Sequence, residues 1–254
     1  MYIDLHNHIL PGVDDGAVDI EDAVRMVSMA AESGTSVIAA TPHRAWSARK
    51  ECPKEWLLQR VAHLQKEIDQ RKIPVTVIEG VELMMHSDIV DLLMDGFLPT
   101  LGGGNCILLE PPFDTLPGNM FALINQLSHC GFRILLAHPE RCTEIQRDPA
   151  GFAHSFSLCG AFIQLTTGSL LGTFGEAARA TAVYLLSQYP PTSLVIASDS
   201  HNQRVRPPNL IPQALTVASK FVGTKAANAM VTTIPYSLLN ADPRMPTLST
   251  LTKS

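Results

Sequence analysis

The chain has 254 residues, of which 46% are hydrophobic and 17% charged, with a formal net charge of −5. That is enough chain for one large α/β domain or two small ones, and too apolar for a disordered one. The acidic balance argues against a nucleic-acid binder, and no apolar run approaches the roughly 18 residues of a bilayer span, so neither nucleic acid nor membrane insertion is expected.

Asp4, His6 and His8 stand where a secretory signal is basic and then apolar, so a cytoplasmic location is expected. They belong to the first strand-like run, YIDLHNH (2–8). A helix is predicted over 19–33, with Asp19 as its cap, Ala23, Val24, Val27 and Ala30 at helical spacing, and Gly34 as its stop. The strand run SVIAATPH (36–43) and a helix over 54–71 come next. VTVIEGVELM (75–84) and CILLEPP (106–112) read as strands, then a helix over 118–130, then the strand RILLAHPE (133–140). The interval 141–160 predicts one short helix. AFIQLTT (161–167), a helix over 174–189, LVIASDSH (194–201) and a helix over 210–221 complete the pattern. Residues 243–254 are rich in Thr, Ser and Pro and read as a flexible tail, leaving a domain over 1–242. Strand runs that are nearly continuous in apolar character and alternate with helices predict an α/β fold with a parallel sheet.

Polar residues cluster at the ends of these runs. His6 and His8 end the first, His43 the second, Glu110 the fourth, His138 the fifth, and Asp199 with His201 the last, while Glu82 lies near the end of the third. In a (β/α) barrel the C-terminal strand ends open onto one face, so these groups would converge. Residues two apart point to the same side of a strand, which accounts for the pairs His6/His8 and Asp199/His201. Converging buried carboxylates repel one another unless cations neutralise them. The donors are imidazole and carboxylate only, which excludes a thiolate zinc site or an iron–sulfur cluster and suits Mn²⁺, Zn²⁺ or Fe. There are too many donors for one ion, so two or three ions bridged by a carboxylate are expected. Such a centre activates water for in-line attack on a phosphoryl group. The five cysteines read as reduced, mostly buried thiols. HCGFRILL (129–136) starts like the H-C-x5-R loop of cysteine-dependent phosphatases, but Leu136 occupies the arginine position, so a cysteine nucleophile is excluded.

HNHILPGVDDG, ATPH, GVE, LLEPPFDTLP, AHPER and IASDSHN, with the flanking TTGSLLGTFGEAARATA and RPPNL, resemble in order and spacing the PHP (polymerase and histidinol phosphatase) superfamily. The resemblance is closest to its branch of bacterial protein-tyrosine phosphatases from capsule and exopolysaccharide operons, and it covers about residues 1–240. It implies a distorted (β/α)7 barrel holding three divalent ions, usually manganese, with iron and zinc fitting the same donors. By motif, His6, His8, Asp199 and Glu82 would hold the first ion. Glu82 would bridge to a second ion held by Glu110 and His138. The third would take His43, His201 and either Asp14 or Asp15, which spacing alone does not separate.

The resemblance also implies that Arg141 and Arg206 bind the phosphoryl group, with a metal-bound hydroxide as nucleophile. Asp199 or His201 is the candidate to protonate the leaving phenolate. The implied partner is the tyrosine-rich tail of a membrane tyrosine autokinase that controls polysaccharide synthesis. The sequence departs from the branch at Thr167 and in Arg44 with the loop 45–53, which bear on substrate preference. The rival readings are a histidinol-phosphate or other small-molecule phosphatase, and a non-catalytic scaffold stabilised by metal.

Overall fold

The protein is described by a computed structural model over residues 1–43 and 54–239. Arg44, the loop 45–53 and the tail 243–254 with its boundary at 242 lie outside the described residues. In order, the elements are β1 (Tyr2–Asn7), α1 (Ile20–Glu32), β2 (Thr35–Ala40), α2 (Lys54–Gln70), β3 (Thr76–Glu79), β4 (Glu82–Met84), α3 (Ile89–Met94), β5 (Cys106–Glu110) and α4 (Met120–His129). There follow β6 (Arg133–Ala137), α5 (Thr143–Arg147), α6 (Pro149–Ser157), β7 (Phe162–Thr166), α7 (Thr167–Leu171), α8 (Glu176–Gln188), β8 (Leu194–Ala197), α9 (Ile211–Val222), α10 (Thr224–Ala229) and α11 (Thr233–Leu238). The Asp19 cap is present: its Oδ1 accepts from the Asp22 N–H at 2.8 Å, and Ala23, Val24, Val27 and Ala30 are buried.

Every strand pairs in parallel. β1-β2-β3 form one sheet and β4-β5-β6-β7-β8 a second. One isolated bridge, His43 to Glu82, joins the sheets on one side, and another, Asn7 to Ser200, joins them on the other. Ile3 and Leu5 of β1, Val37 and Ala39 of β2, Ile78 of β3, Leu108 of β5, Leu135 of β6 and Val195 of β8 form one apolar cluster shared by both sheets. Two further clusters lie under the helices, one beneath α1 and α2 and one beneath the helices of the larger sheet.

Three expectations need correction. The run 75–84 is two strands in different sheets, broken at Gly80, where a Cβ would lie 2.7 Å from Leu101 Cδ2 and 2.9 Å from Thr41 Cγ2. The interval 141–160 holds two helices, separated by Asp148, whose carboxylate accepts from the Gly151 N–H at 2.9 Å and caps α6. The pattern also missed α3, α7, α10 and α11, which have only five or six residues each. Of the described cysteines, Cys106 and Cys142 are buried, Cys159 is half-buried and Cys130 exposed.

Candidate metal centre

Continuing the inward-facing rows of β2, β3, β5 and β8 past their ends gives four of the donors, whereas His138 falls out of phase with Leu135 and Ala137 of β6. Val37 and Ala39 lead to His43, Ile78 to Glu82, Cys106 and Leu108 to Glu110, and Val195 to Asp199, all at even spacing. β1 breaks this rule, because His6 and His8 are out of phase with Ile3 and Leu5. Its ladder carries an extra residue: Asp4 to Asn7 spans three steps against two from Ile38 to Ala40 on β2. This bulge resets the alternation and brings both imidazoles inward. His138 (φ 30°) and Asp199 (φ 50°) hold left-handed backbone that residues other than glycine rarely adopt. The His6 carbonyl accepts from the Asp199 N–H at 2.9 Å, and the His138 carbonyl accepts from the Arg141 N–H at 2.9 Å, so surrounding structure sustains both strained positions.

Glu82 is the hub. Its carboxylate lies 2.8 Å from His43 Nδ1, 2.9 Å from His138 Nε2, 3.3 Å from His6 Nε2 and 3.4 Å from His8 Nε2. Glu110 lies 3.7 Å from His138 and 3.9 Å from His43. Asp199 Oδ1 lies 3.4 Å from His6 and 3.5 Å from His8. Asp15 Oδ1 lies 3.3 Å from His201 Nε2 and 3.6 Å from His43 Nε2. Asp15 (66% exposed) and His43 (39%) form the solvent side of the cluster, whereas His6, His8, Glu82 and Asp199 are buried.

The two aspartates of the DDG turn have different neighbours. Asp14 Oδ2 accepts from His8 Nδ1 at 2.7 Å and from the His43 N–H at 2.9 Å, and Oδ1 accepts from the Gly16 N–H at 3.0 Å. It fixes His8 so that Nε2 faces the site. Gln164 does the same for His6, its Oε1 lying 3.0 Å from Nδ1 and accepting also from the His138 N–H at 3.2 Å. An acceptor on one ring nitrogen leaves the other free as a ligand and sets the ring's direction. Sequence reasoning missed Gln164; its signal was a glutamine inside the otherwise apolar run AFIQL. Asp4 was missed too. It accepts from the Ser198 N–H at 3.0 Å and from Asn7 Nδ2 at 3.0 Å, holding the end of β8 against β1.

The turn depends on Gly16, where a Cβ would lie 1.9 Å from the His8 carbonyl oxygen and 2.6 Å from His8 Cβ. Part of that clash is with backbone, so side-chain rotation does not relieve it. Gly16→Ala is expected to push Asp14 and Asp15 away from His8, His43 and His201. Metal titration of the variant should show weakened binding at one class of site, by the roughly 10–100-fold typical of losing outer support, with circular dichroism unchanged.

The charges need a counterion. Burial and then the neighbouring Glu82 charge push Glu110 up to about 7. Burial also disfavours charge on Glu82, but His6, His138 and His43 outweigh it and hold its carboxyl well below the usual range. Burial, with His8 and Arg206, pushes His201 down to about 3. Glu110 Oε1, Asp199 Oδ1 and His201 Nε2 are buried without a hydrogen-bond partner. Buried polar atoms rarely stay unpaired, and cations would engage all three. Four groupings bring donor atoms within 4.8 Å of one another: His8, Asp15, His43 and His201; His6, His138 and Asp199; His6, His8 and Glu82; and His43, Glu82 and Glu110. The residues present therefore fit divalent cations.

Both candidate arginines reach this site. Arg141 donates to Asp199 Oδ2 at 2.9 Å, and an Arg206 guanidinium nitrogen lies 2.5 Å from the same oxygen. Arg141 also packs over Phe113 at 4.7 Å and Phe174 at 4.2 Å. Cys130, by contrast, ends α4 at the opposite end of β6 from His138, and burial pushes the Cys106 thiol up to about 12, so neither is placed to serve as a nucleophile here.

The chain is 34% identical over 239 residues to the tyrosine-protein phosphatase YwqE of Bacillus subtilis, covering 93% of this chain and 88% of that one. It is 24% identical over 244 residues to the tyrosine-protein phosphatase CpsB of Streptococcus agalactiae, covering 93% and 98%. It superposes with a TM-score of 0.86, 32% identity and 97% coverage of both chains on a crystal structure from work on YwqE from Bacillus subtilis and CpsB from Streptococcus pneumoniae, described there as unique metal-dependent tyrosine phosphatases. A chain of archaeal ribonuclease P, with a TM-score of 0.59, 13% identity and coverage of 94% and 90%, shares the fold alone. No helix among the described residues is long and apolar enough to cross a membrane. The profile for capsular polysaccharide synthesis proteins CpsB/CapC matches residues 2–240, and the chain belongs to that family.

Proposed function

We propose that the chain is a metal-dependent tyrosine-protein phosphatase, acting without a cysteine nucleophile. The observation that carries this reading is the convergence of four histidines on Glu82, with two arginines on the neighbouring Asp199. Three divalent ions, manganese first, suit the donors. His6, His8, Glu82 and Asp199 would hold one, Glu82, Glu110 and His138 a second, and His43, His201 and Asp15 a third. Asp15 is preferred because Asp14 is already committed to His8 and His43. The two bridges at the sheet edges support a distorted barrel as the scaffold.

Bound ions supply Lewis acidity, making a water molecule nucleophilic and neutralising phosphoryl charge. The chain's own residues orient the reaction. Asp199 divides its carboxylate, with Oδ2 taking Arg141 and Arg206 and Oδ1 facing His6 and His8. It thereby aims both guanidinium groups at the space beside the cation site, where they meet phosphoryl oxygens in two-point fashion. Burial disfavours charge on Asp199, but His6, His8, His138 and Arg206 outweigh it and hold the carboxyl well below its usual range, so it is poorly suited to donate a proton. A tyrosine phenolate, with a pKa near 10, needs little protonation to leave. The tyrosine-rich tail of a membrane autokinase is the partner that the family's capsule association supports.

The test is phosphate release from a phosphotyrosine peptide and from histidinol phosphate, before and after chelation, with Mn²⁺, Fe²⁺ and Zn²⁺ added back. Activity on the peptide that disappears on chelation and returns with one metal is expected. Preference for histidinol phosphate overturns the substrate, and activity surviving chelation overturns metal dependence. Chelation that melts a protein inactive on every aryl phosphate favours the scaffold reading.

A further inference from the structure

Phe113 is an exposed aromatic residue beside the phosphoryl-binding arginines. It follows β5 in the sequence EPPFD and is 45% exposed. Its ring lies nearly parallel to the His138 imidazole, with centroids 5.7 Å apart and 12° between planes, and the Arg141 guanidinium sits 4.7 Å from its centre. The segment carrying it is pinned to α5. The Phe113 carbonyl accepts from the Thr143 N–H at 2.7 Å, the Asp114 carbonyl from the Glu144 N–H at 3.1 Å, and the Glu144 side chain from the Leu116 N–H at 2.8 Å.

Phe174 differs. It is half-buried, packs 4.2 Å from Arg141 and 5.5 Å from Arg206, and seats over Gly168, where a Cβ would lie 2.6 Å from the ring. Phe174 thus supports the arginines from within, whereas Phe113 leaves much of its ring open to solvent at the site.

From this geometry we infer that Phe113 determines specificity for aryl phosphates by packing against the substrate's aromatic ring while the arginines hold its phosphoryl group. The inference rests on the phosphatase reading above. In an aryl phosphate one oxygen separates phosphorus from the ring, so a residue that reads the ring has to lie beside the phosphoryl site, as Phe113 does. Aromatic pairs gain beyond simple burial through offset or edge-to-face contact, which an alkyl group cannot reproduce. The pinned backbone fixes the ring before substrate arrives, so little ordering is needed on binding.

The test is calorimetric titration of the metal-loaded protein with benzylphosphonate, whose CH₂ stands in for the ester oxygen, and with ethylphosphonate, neither of which is hydrolysed. The unaltered protein is expected to bind the benzyl compound more tightly. Phe113→Ala and Phe113→Leu should each shrink that preference by about two- to tenfold, with metal content unchanged, and Phe113→Tyr should keep it. An unaltered preference in the alanine and leucine variants, or equal weakening toward both phosphonates, overturns the inference and leaves the phosphatase reading standing. If the unaltered protein binds neither phosphonate and hydrolyses no aryl phosphate, the phosphatase reading falls and this one with it.

Discussion

Glu82→Gln is expected to strip the centre of metal and abolish phosphatase activity. The substitution preserves shape and removes one negative charge from the midst of His6, His8, His43 and His138. A carboxylate can bridge two cations through its two oxygens; an amide offers one oxygen without charge, and its N–H₂ group has no lone pair to give a cation. The loss of affinity should exceed the roughly 10–100-fold that follows removal of an outer-sphere partner. Elemental analysis of protein purified without added metal, paired with turnover of a phosphotyrosine peptide, checks it. A variant with full metal content and full turnover places the cations elsewhere.

Arg141→Ala is expected to separate binding of the phosphoryl group from binding of metal. Arg206 remains on Asp199 Oδ2, so the carboxylate keeps a partner and the cation side of the site is preserved. Removing a donor aimed at transition-state charge typically lowers turnover by about 10²–10³, and a drop of that order is expected with metal per chain unchanged. Arg141→Lys should recover little of it, because an ammonium is a point charge without the planar fork. His138→Ala is the contrasting variant, expected to lose metal as well as turnover. Equal metal loss in Arg141→Ala and His138→Ala contradicts this division of roles.

The convergence of the imidazole and carboxylate donors was legible because residue type and position coincide. His43, Glu82, Glu110 and Asp199 continue the inward rows of their strands, so a two-residue repeat finds them. His6 and His8 were recognised by type, but their direction depends on a bulge set by the pairing of β1 with β2, which no local pattern records. Asp14 and Asp15 are neighbours in sequence and are told apart only after folding, by burial and by which histidines surround them. Gly80 hid a change of sheet because its flanks, VIE and VELM, read as one strand. The short helices α3, α7, α10 and α11 escaped because five or six residues carry too little periodicity, and such helices are held by tertiary packing.

The contact between β1 and the segment after β8 makes this centre a late product of translation. His6 precedes Asp199 and His201 by nearly two hundred residues of synthesis. At about 5–20 residues per second, the ribosome spends roughly 10–40 s between them. Asp199, which links the cation donors to both arginines, is absent throughout that interval. A nascent or truncated chain ending before residue 199 therefore lacks two of the side chains that meet His6 and His8 in the folded protein.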